Sequence, residues 1–242
     1  STHPILQQMS SLLIPLGLCG PASVAFFMIR RNQALRTDVR HRIIGLRGVK
    51  PVYLFLTFFL MPASILCAMA ISLLFGYSAE QFHLSDKASF SAGVISGWLL
   101  LLFAPFMEEL GWHTYGTDSL RRSVNLLTVC LMFGSYWAIW HMPLALIKGS
   151  YQSNLTEIGL LHCLNYFMSF FAYVILVNWL YYKANRSTLV AIVFHLSANC
   201  SAEIFSTHPD SKVIQTGLLL LLAVVLVIRD SEFFLQQGYR RR

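Results

Sequence analysis

Charged residues are scarce in this chain of 242 residues. Asp and Glu number only 11, and all charged residues together make up 12% of the sequence, about half the fraction of ~25% found in soluble domains. A soluble domain of this size needs many charged side chains on its surface, so the scarcity excludes that class of protein. Hydrophobic residues make up 56% instead, and the mean hydropathy is +0.59.

Other common signals are also absent. The five cysteines, an odd number, are scattered through apolar stretches and include no CxxC pair. We therefore interpret them as small buried hydrophobic residues rather than as disulfides or metal ligands. The chain has no HExxH zinc signature. It also has no low-complexity linker and no internal repeat, which predicts a single integral-membrane domain over residues 1–242.

Apolar runs of roughly 17–25 residues, long enough to cross a bilayer, recur along the whole chain. Because these runs are continuous rather than alternating, they favour helices over membrane strands. The sequence therefore predicts an all-α, polytopic transmembrane helical bundle with seven or eight membrane helices. The seven spans that we assign are 11–29, 52–75, 90–120, 124–147, 158–182, 187–205 and 213–228.

The distribution of basic residues predicts the orientation of this bundle. If the spans alternate, all Lys and Arg residues fall on one side except Lys87, Lys148 and Lys212. The positive-inside rule then places the N-terminus outside and the C-terminus in the cytoplasm. The net charge of +7 is therefore a topological bias, and we predict no nucleic-acid partner. The expected location is the bacterial cytoplasmic membrane, or the endoplasmic reticulum membrane in a eukaryote.

The most informative feature is a pair of adjacent carboxylates, Glu108 and Glu109, inside the third predicted span. A charge near the centre of a bilayer costs roughly 2.5–3.5 kcal/mol, so such residues are expected to be paired or used in a polar interior. Later spans contribute His141, and His195 with Asn199 one helical turn further on. At about 1.5 Å per residue, Glu108, His141, His195 and Asn199 lie roughly 12–24 Å from the cytoplasmic helix ends, which predicts that they meet.

This set of side chains suits hydrolysis of a peptide bond without a covalent intermediate. A carboxylate beside a neutral imidazole can hold a water molecule and take its proton, which generates a nucleophile for a carbonyl carbon. A second histidine and an asparagine amide can donate hydrogen bonds to the oxyanion that forms. No Ser or Cys has a comparable base partner by sequence spacing.

At these residues the chain resembles the CPBP (Abi) family of intramembrane proteases. That family includes the type II CAAX prenyl endopeptidases and bacterial relatives linked to bacteriocin processing and immunity. Its pattern is EExxxR, FxxxH and HxxxN/B on three separate helices. Here the corresponding strings are EELGWH starting at Glu108, WAIWH ending at His141, and HLSAN from His195 to Asn199. The resemblance covers about residues 90–205, with apolar helices on either side.

The resemblance implies a glutamic-type endopeptidase with a role for each motif residue. Glu108 would activate water together with His141, while His195 and Asn199 would form the oxyanion site. Glu109 would assist by bonding the residue one turn further on. We expect no cofactor, although Glu108, His141 and His195 would be the ligand set if zinc were present. The expected partners are the lipid bilayer and a membrane-associated substrate, a prenylated or leader-type peptide.

Two positions depart from the family pattern and keep other functions open. The arginine expected at position 113 is His113, and the aromatic residue of the second motif is Trp137 instead of Phe. A histidine can bond Glu109 but is not permanently charged. A catalytically inactive membrane scaffold or a bacteriocin-immunity-type protein on the same fold is therefore the alternative. A proton-coupled transporter is the third hypothesis, because buried Glu and His residues also form proton relays.

Several polar residues in the spans lie outside the motifs. We interpret His162 as a satisfied packing residue and Asn165 as a residue that hydrogen-bonds between helices. Glu203, one turn beyond Asn199, either lines the same cavity or marks the outer end of its helix, and we favour the second interpretation.

Overall fold

The structure, a computed structural model, describes residues 4–90 and 96–237, with residues 4–13 described by their backbone alone. Within these ranges the chain is all-α apart from one isolated bridge pair, Leu84 with Phe205, which confirms the predicted fold class. The helices are α1 (Pro4–Arg30), α2 (Gln33–Ile43), α3 (Pro51–Leu73), α4 (Gly97–Gly111), α5 (Thr117–Arg121), α6 (Leu126–His141), α7 (Tyr151–Ile158), α8 (Leu160–Lys183), α9 (Thr188–Glu203), α10 (Pro209–Arg229) and α11 (Ser231–Leu235). Arg240, Arg241 and Arg242, which support the predicted orientation, lie outside the described residues.

Four segments are long and apolar enough to cross a membrane. They are Pro51–Leu73, Leu126–Leu146, Leu160–Lys183 and Pro209–Arg229, close to the predicted spans 52–75, 124–147, 158–182 and 213–228. Phe55, Phe58 and Phe59 of α3 are 54–60% exposed, and a row of exposed aromatic rings on such a helix suits contact with lipid. Helix α9, with 16 residues, is shorter than its predicted span. The number of seven or eight spans and their orientation stay predictions.

The predicted span 90–120 contains three consecutive helical parts. Residues 91–95 of this span lie outside the described ranges. Helix α4 leads into a π-helical turn, Trp112–Gly116, and then into α5. Such turns widen the helix and leave backbone groups that need other partners. Helix α1 packs tightly on this element, because a Cβ atom at Gly111 would lie only 2.4–2.8 Å from Pro21. Glycine is therefore required at this contact.

One end of the bundle, called here the basic end, is closed by an ionic cluster of Asp38, Arg42, Asp118 and Arg186. Asp118 lies 3.1 Å from Arg42 Nη1 and also pairs with Arg186, and both arginines pair with Asp38. Burial acts to lower the pKa of Arg186, but the hydrogen bond and the charge of Asp118 outweigh it, so that this pKa is raised above its ordinary value. The cluster joins α2, α5 and the α8–α9 connection.

The opposite end, called here the cavity end, carries the chain from residue 74 to 90, helix α7 and the α9–α10 connection. The Ser85 N–H donates to the Ile204 carbonyl at 2.9 Å. Asp210, in the first turn of α10, accepts hydrogen bonds from Tyr77 and from His162 Nε2, the latter at 2.9 Å. His162 thus joins α8 to α10 through Nε2, while its Nδ1 is buried without a partner among the described residues. These connections surround the mouth of a cavity.

Candidate active site

A cavity of about 820 Å³ runs into the bundle from the cavity end. Its walls include Glu108 from α4, His141 from α6, and His195 and Asn199 from α9. The structure therefore brings these four residues, predicted to meet, into one cavity. Glu109 is fully buried behind the wall and does not line it. The two adjacent carboxylates thus face different surroundings, because neighbouring residues on a helix point about 100° apart.

Glu108 is held by an indole. Trp137 Nε1 donates a hydrogen bond to Glu108 Oε2 at 2.9 Å, and Glu108 is only 4% exposed. The ring of Trp137 also packs edge-on against His195, with centroids 5.3 Å apart, and its carbonyl binds His141. Trp137 therefore contacts three of the four cavity residues. The sequence predicted Trp137 as an altered aromatic position and as a helix-packing residue in the pocket wall, where the structure places it, but it gave no signal of this hydrogen bond.

Glu109 bridges two histidines. Its Oε2 accepts a hydrogen bond from His113 Nδ1, and its Oε1 accepts one from His195 Nδ1 at 2.8 Å. His113 is one turn further along the helix, where the family pattern has arginine. The structure therefore retains a partner for Glu109 at this position. Because the Nδ1 atom of His195 faces Glu109, its Nε2 atom remains available on the cavity side.

The hydrogen bond that His141 makes through Nδ1 leaves its Nε2 atom as an acceptor. Its Nδ1 donates to the Trp137 carbonyl at 2.8 Å, so the neutral ring carries its proton on Nδ1 and has a lone pair on Nε2. Phe170 and Trp140 pack against the ring, with centroids 5.0 and 4.8 Å away. A water molecule beside this Nε2 atom would be held as a donor, which suits its deprotonation by a neighbouring carboxylate.

Asn199 makes a hydrogen bond whose reason can be read from the sequence only once the structure is known. Pro105 lies in α4 and has no N–H to bond the carbonyl four residues earlier, that of Leu101. The Asn199 Nδ2 atom donates to this Leu101 carbonyl at 3.2 Å. One amide hydrogen of Asn199 therefore fixes α9 against α4. The second amide hydrogen is left for a ligand in the cavity.

The π-helical turn is supported from the basic end. Arg42 donates to the carbonyls of His113 and Thr114, each at 3.2 Å, and the Tyr181 hydroxyl donates to the His113 carbonyl at 2.7 Å. These donors satisfy carbonyl groups that the irregular turn leaves without helical partners. The ionic cluster at the basic end is thereby connected to the position of His113, and through His113 to Glu109.

One hydroxyl in the cavity wall has no partner. The Tyr173 side chain is 9% exposed, and its hydroxyl is buried without a hydrogen bond among the described residues. Its ring lies 5.4 Å from His195 and 5.3 Å from Trp137, between centroids. A buried unpaired donor is costly and commonly has a functional reason. The sequence gave no signal for Tyr173, which is one aromatic residue among many in α8.

Among the described residues, no three His, Cys, Asp or Glu side chains converge on a point that could hold a metal ion. The ligand set considered from the sequence, Glu108, His141 and His195, does not form such a group. Glu109, the nearest further carboxylate, is engaged by two histidines.

We expect Trp137→Phe to lower kcat about tenfold without unfolding the protein. Phenylalanine keeps the aromatic packing but removes the N–H that holds Glu108, and a hydrogen bond to a charged group contributes about 1.5–3 kcal/mol. Initial rates of peptide cleavage would measure the effect. Trp98→Phe is the matched control, because Trp98 lies outside the cavity wall. Equal rates for the two variants would contradict a role for the indole.

Comparisons with known proteins identify the family of this chain. Residues 90–201 match the family described as type II CAAX prenyl endopeptidase, Rce1-like. This range contains all three motifs. The chain is also 33% identical over 228 residues to "CAAX prenyl protease 2" of Methanococcus maripaludis, an alignment that covers 93% of this chain and 84% of the relative.

The similarity extends through nearly the whole of both chains, well beyond the three motifs. Four segments are long and apolar enough to cross a membrane, so the chain is an integral membrane protein. The sequence similarity places it in a family of proteases. The chain belongs to the family of type II CAAX prenyl endopeptidases.

Proposed function

We propose that this protein is an intramembrane endopeptidase that hydrolyses a peptide bond near the C-terminus of a lipid-modified peptide. The observation that carries the proposal is the convergence of Glu108, His141, His195 and Asn199, from three helices, on one cavity of about 820 Å³. A carboxylate, an imidazole acceptor and two further polar groups at one place are the components that water-dependent peptide hydrolysis requires.

The proposed reaction uses Glu108 as the base and later as the acid. A water molecule held between Glu108 and His141 Nε2 loses a proton to Glu108, and its oxygen attacks the carbonyl carbon of the substrate. The imidazolium of His195, protonated on both ring nitrogens, donates from Nε2, and together with the second amide hydrogen of Asn199 it stabilises the resulting oxyanion. Glu108 then transfers the proton to the leaving nitrogen as the C–N bond breaks. Glu109 holds His195 in place and does not contact substrate.

The cavity walls support a substrate with an apolar group. On one side, apart from Glu108, the described lining residues of α1 and α4 are small or aliphatic, namely Ile14, Gly17, Leu18, Leu100, Leu101 and Ala104. On the other side, α9 and α10 contribute polar residues such as Glu203, Lys212 and Gln215. A prenyl chain would bind against the first wall, with a favourable contribution from each buried methylene, and the peptide would lie along the second.

The orientation of the bundle decides which peptides reach this cavity. The predicted orientation places the basic end in the cytoplasm, so that the cavity end faces the other side. A prenylated terminus made in the cytoplasm would require the reverse orientation. For this reason the test is best made on protein in detergent micelles, where both ends are accessible.

The experiment is cleavage of a synthetic peptide ending in farnesylcysteine and three further residues. We expect wild-type protein to release the C-terminal tripeptide, detected by mass spectrometry, at a rate that a zinc chelator leaves unchanged. The same peptide without the farnesyl group is expected to react at least tenfold more slowly, because the apolar wall is then unused. Loss of activity with the chelator, restored by added zinc, would contradict the metal-free mechanism.

A further inference from the structure

Lys212 occupies an unusual position. It lies near the start of α10, and it is the one Lys or Arg among the described residues that line the cavity. Its side chain is 20% exposed, with Nζ 3.4 Å from Glu203 Oε1 and 5.2 Å from the centroid of the Tyr151 ring. In the sequence it is one of three basic residues on the side with few charges.

The cavity continues from the candidate active site to Lys212. Along α9, it is lined at successive turns by His195, Asn199 and Glu203. Along α10, it is lined by Lys212 and by residues three, four and seven positions later. This spacing defines one face of each helix. Both faces line the same cavity, and the wall that they contribute has His195 at its inner end and the Glu203–Lys212 pair at its outer end.

The length of this wall matches a short peptide. His195 and Glu203 are eight residues apart in one helix, which at 1.5 Å per residue corresponds to about 12 Å. Lys212 Nζ contacts Glu203 at the far end of that distance. Three extended residues span about 10–11 Å. A peptide cut beside His195 with three residues beyond the cut would therefore end close to Lys212.

We propose that Lys212 binds the free α-carboxylate of the substrate and so selects peptides with three residues after the scissile bond. The inference rests on the proposed function and adds a specificity subsite to it. A CaaX sequence ends in such a carboxylate, and the Lys212 ammonium has three N–H donors, of which Glu203 accepts one.

Glu203 is itself positioned for this arrangement. Its second oxygen, Oε2, accepts the backbone N–H of Ser89 at 2.7 Å, and the side chain is only 4% exposed. Glu203 lines the cavity and is also the last residue of α9, so both interpretations made from the sequence apply to it. It holds the ammonium at the outer end of the wall, while the long 3.4 Å contact leaves Lys212 able to engage a second anion.

The test compares farnesylated peptides with a free C-terminal carboxylate and with a C-terminal amide. We expect wild-type protein to favour the carboxylate about 30-fold in kcat/KM, in the range of a charge-assisted hydrogen bond. In Lys212→Gln the preference falls below threefold, mainly through a higher KM, and Lys212→Arg restores most of it. Lys148→Gln is the matched control, because Lys148 is exposed at the same end and does not line the cavity.

A binding measurement separates this inference from the proposed function. The Glu108→Gln variant, with and without Lys212→Gln, is titrated with both peptides by fluorescence anisotropy. Tighter binding of the carboxylate peptide that disappears with Lys212→Gln supports the subsite, even if wild-type protein cleaves neither peptide and the proposed function fails. Cleavage with an unchanged carboxylate preference in Lys212→Gln overturns the subsite and leaves the protease standing. A folded Lys212→Arg variant that lacks the preference also overturns it.

Discussion

Glu108→Gln is expected to abolish peptide cleavage, with a loss of at least about 10³-fold in kcat. The substitution keeps the shape of the side chain, and the amide oxygen can still accept the hydrogen bond from Trp137 Nε1 that the carboxylate accepts at 2.9 Å. What it removes is the ability to take a proton from water, and a positioned general base contributes about 10²–10⁴-fold. Because Glu108 lies at the cavity wall and is hydrogen-bonded to one indole, the fold is expected to survive.

The measurement is a comparison of membrane-peptide N-termini by mass spectrometry in cells that express either wild type or Glu108→Gln, with purified protein as a check on folding. New termini that vanish in the variant identify the substrate as well as the activity. Glu157→Gln is the control, because Glu157 is exposed on α7 and does not line the cavity. Identical termini for two well-folded proteins would favour the alternative of an inactive scaffold or immunity-type protein.

Asp118→Ala is expected to lower the free energy of unfolding by about 3–5 kcal/mol, more than the other substitutions proposed for this protein. Asp118 is 9% exposed and pairs with Arg42 and Arg186, and it also accepts a hydrogen bond from Tyr182 at 3.1 Å. Its removal takes away the carboxylate with which both arginines pair, and loss of one partner from a buried ion pair costs about this amount.

Thermal unfolding in detergent would measure this loss as a fall in Tm of about 10 °C, since 1 kcal/mol corresponds to roughly 2–4 °C at this chain length. Asp86→Ala is the matched control, because Asp86 is exposed at the cavity end. A Tm for Asp118→Ala within 2 °C of wild type would show that the ionic cluster does not hold the basic end together. We expect activity to fall as well, because Arg42 supports the carbonyls of His113 and Thr114.

His113 lies where the family pattern has arginine, and the structure shows which groups hold it in place. His113 donates to Glu109, and its own backbone is held by Arg42 and Tyr181. The guanidinium of Arg42 therefore lies at this turn, but it belongs to α2 and donates to backbone carbonyls rather than to Glu109. The departure from the family pattern leaves Glu109 with two imidazole partners.

The sequence by itself determined the class of the protein and the residues that meet in the cavity. The length of the apolar runs predicts membrane helices because a bilayer has a fixed thickness. The cost of ionisable groups in such helices identifies Glu108 and Glu109 without any neighbour being known. Spacing along a helix places His195 and Asn199 on one face. Each of these inferences uses only residues close together in the chain.

Only the tertiary structure decided which groups hold the site in place. The indole of Trp137 reaches Glu108 across 29 positions of sequence, and Asn199 reaches the Leu101 carbonyl, freed by Pro105, across 98. The sequence predicts Lys212 as one of three basic residues on the side with few charges, yet its position at the end of the cavity depends on how α10 packs against α3 and α8. Such contacts depend on the packing of side chains from distant helices, and hydrophobic pattern and local spacing carry no information about that packing.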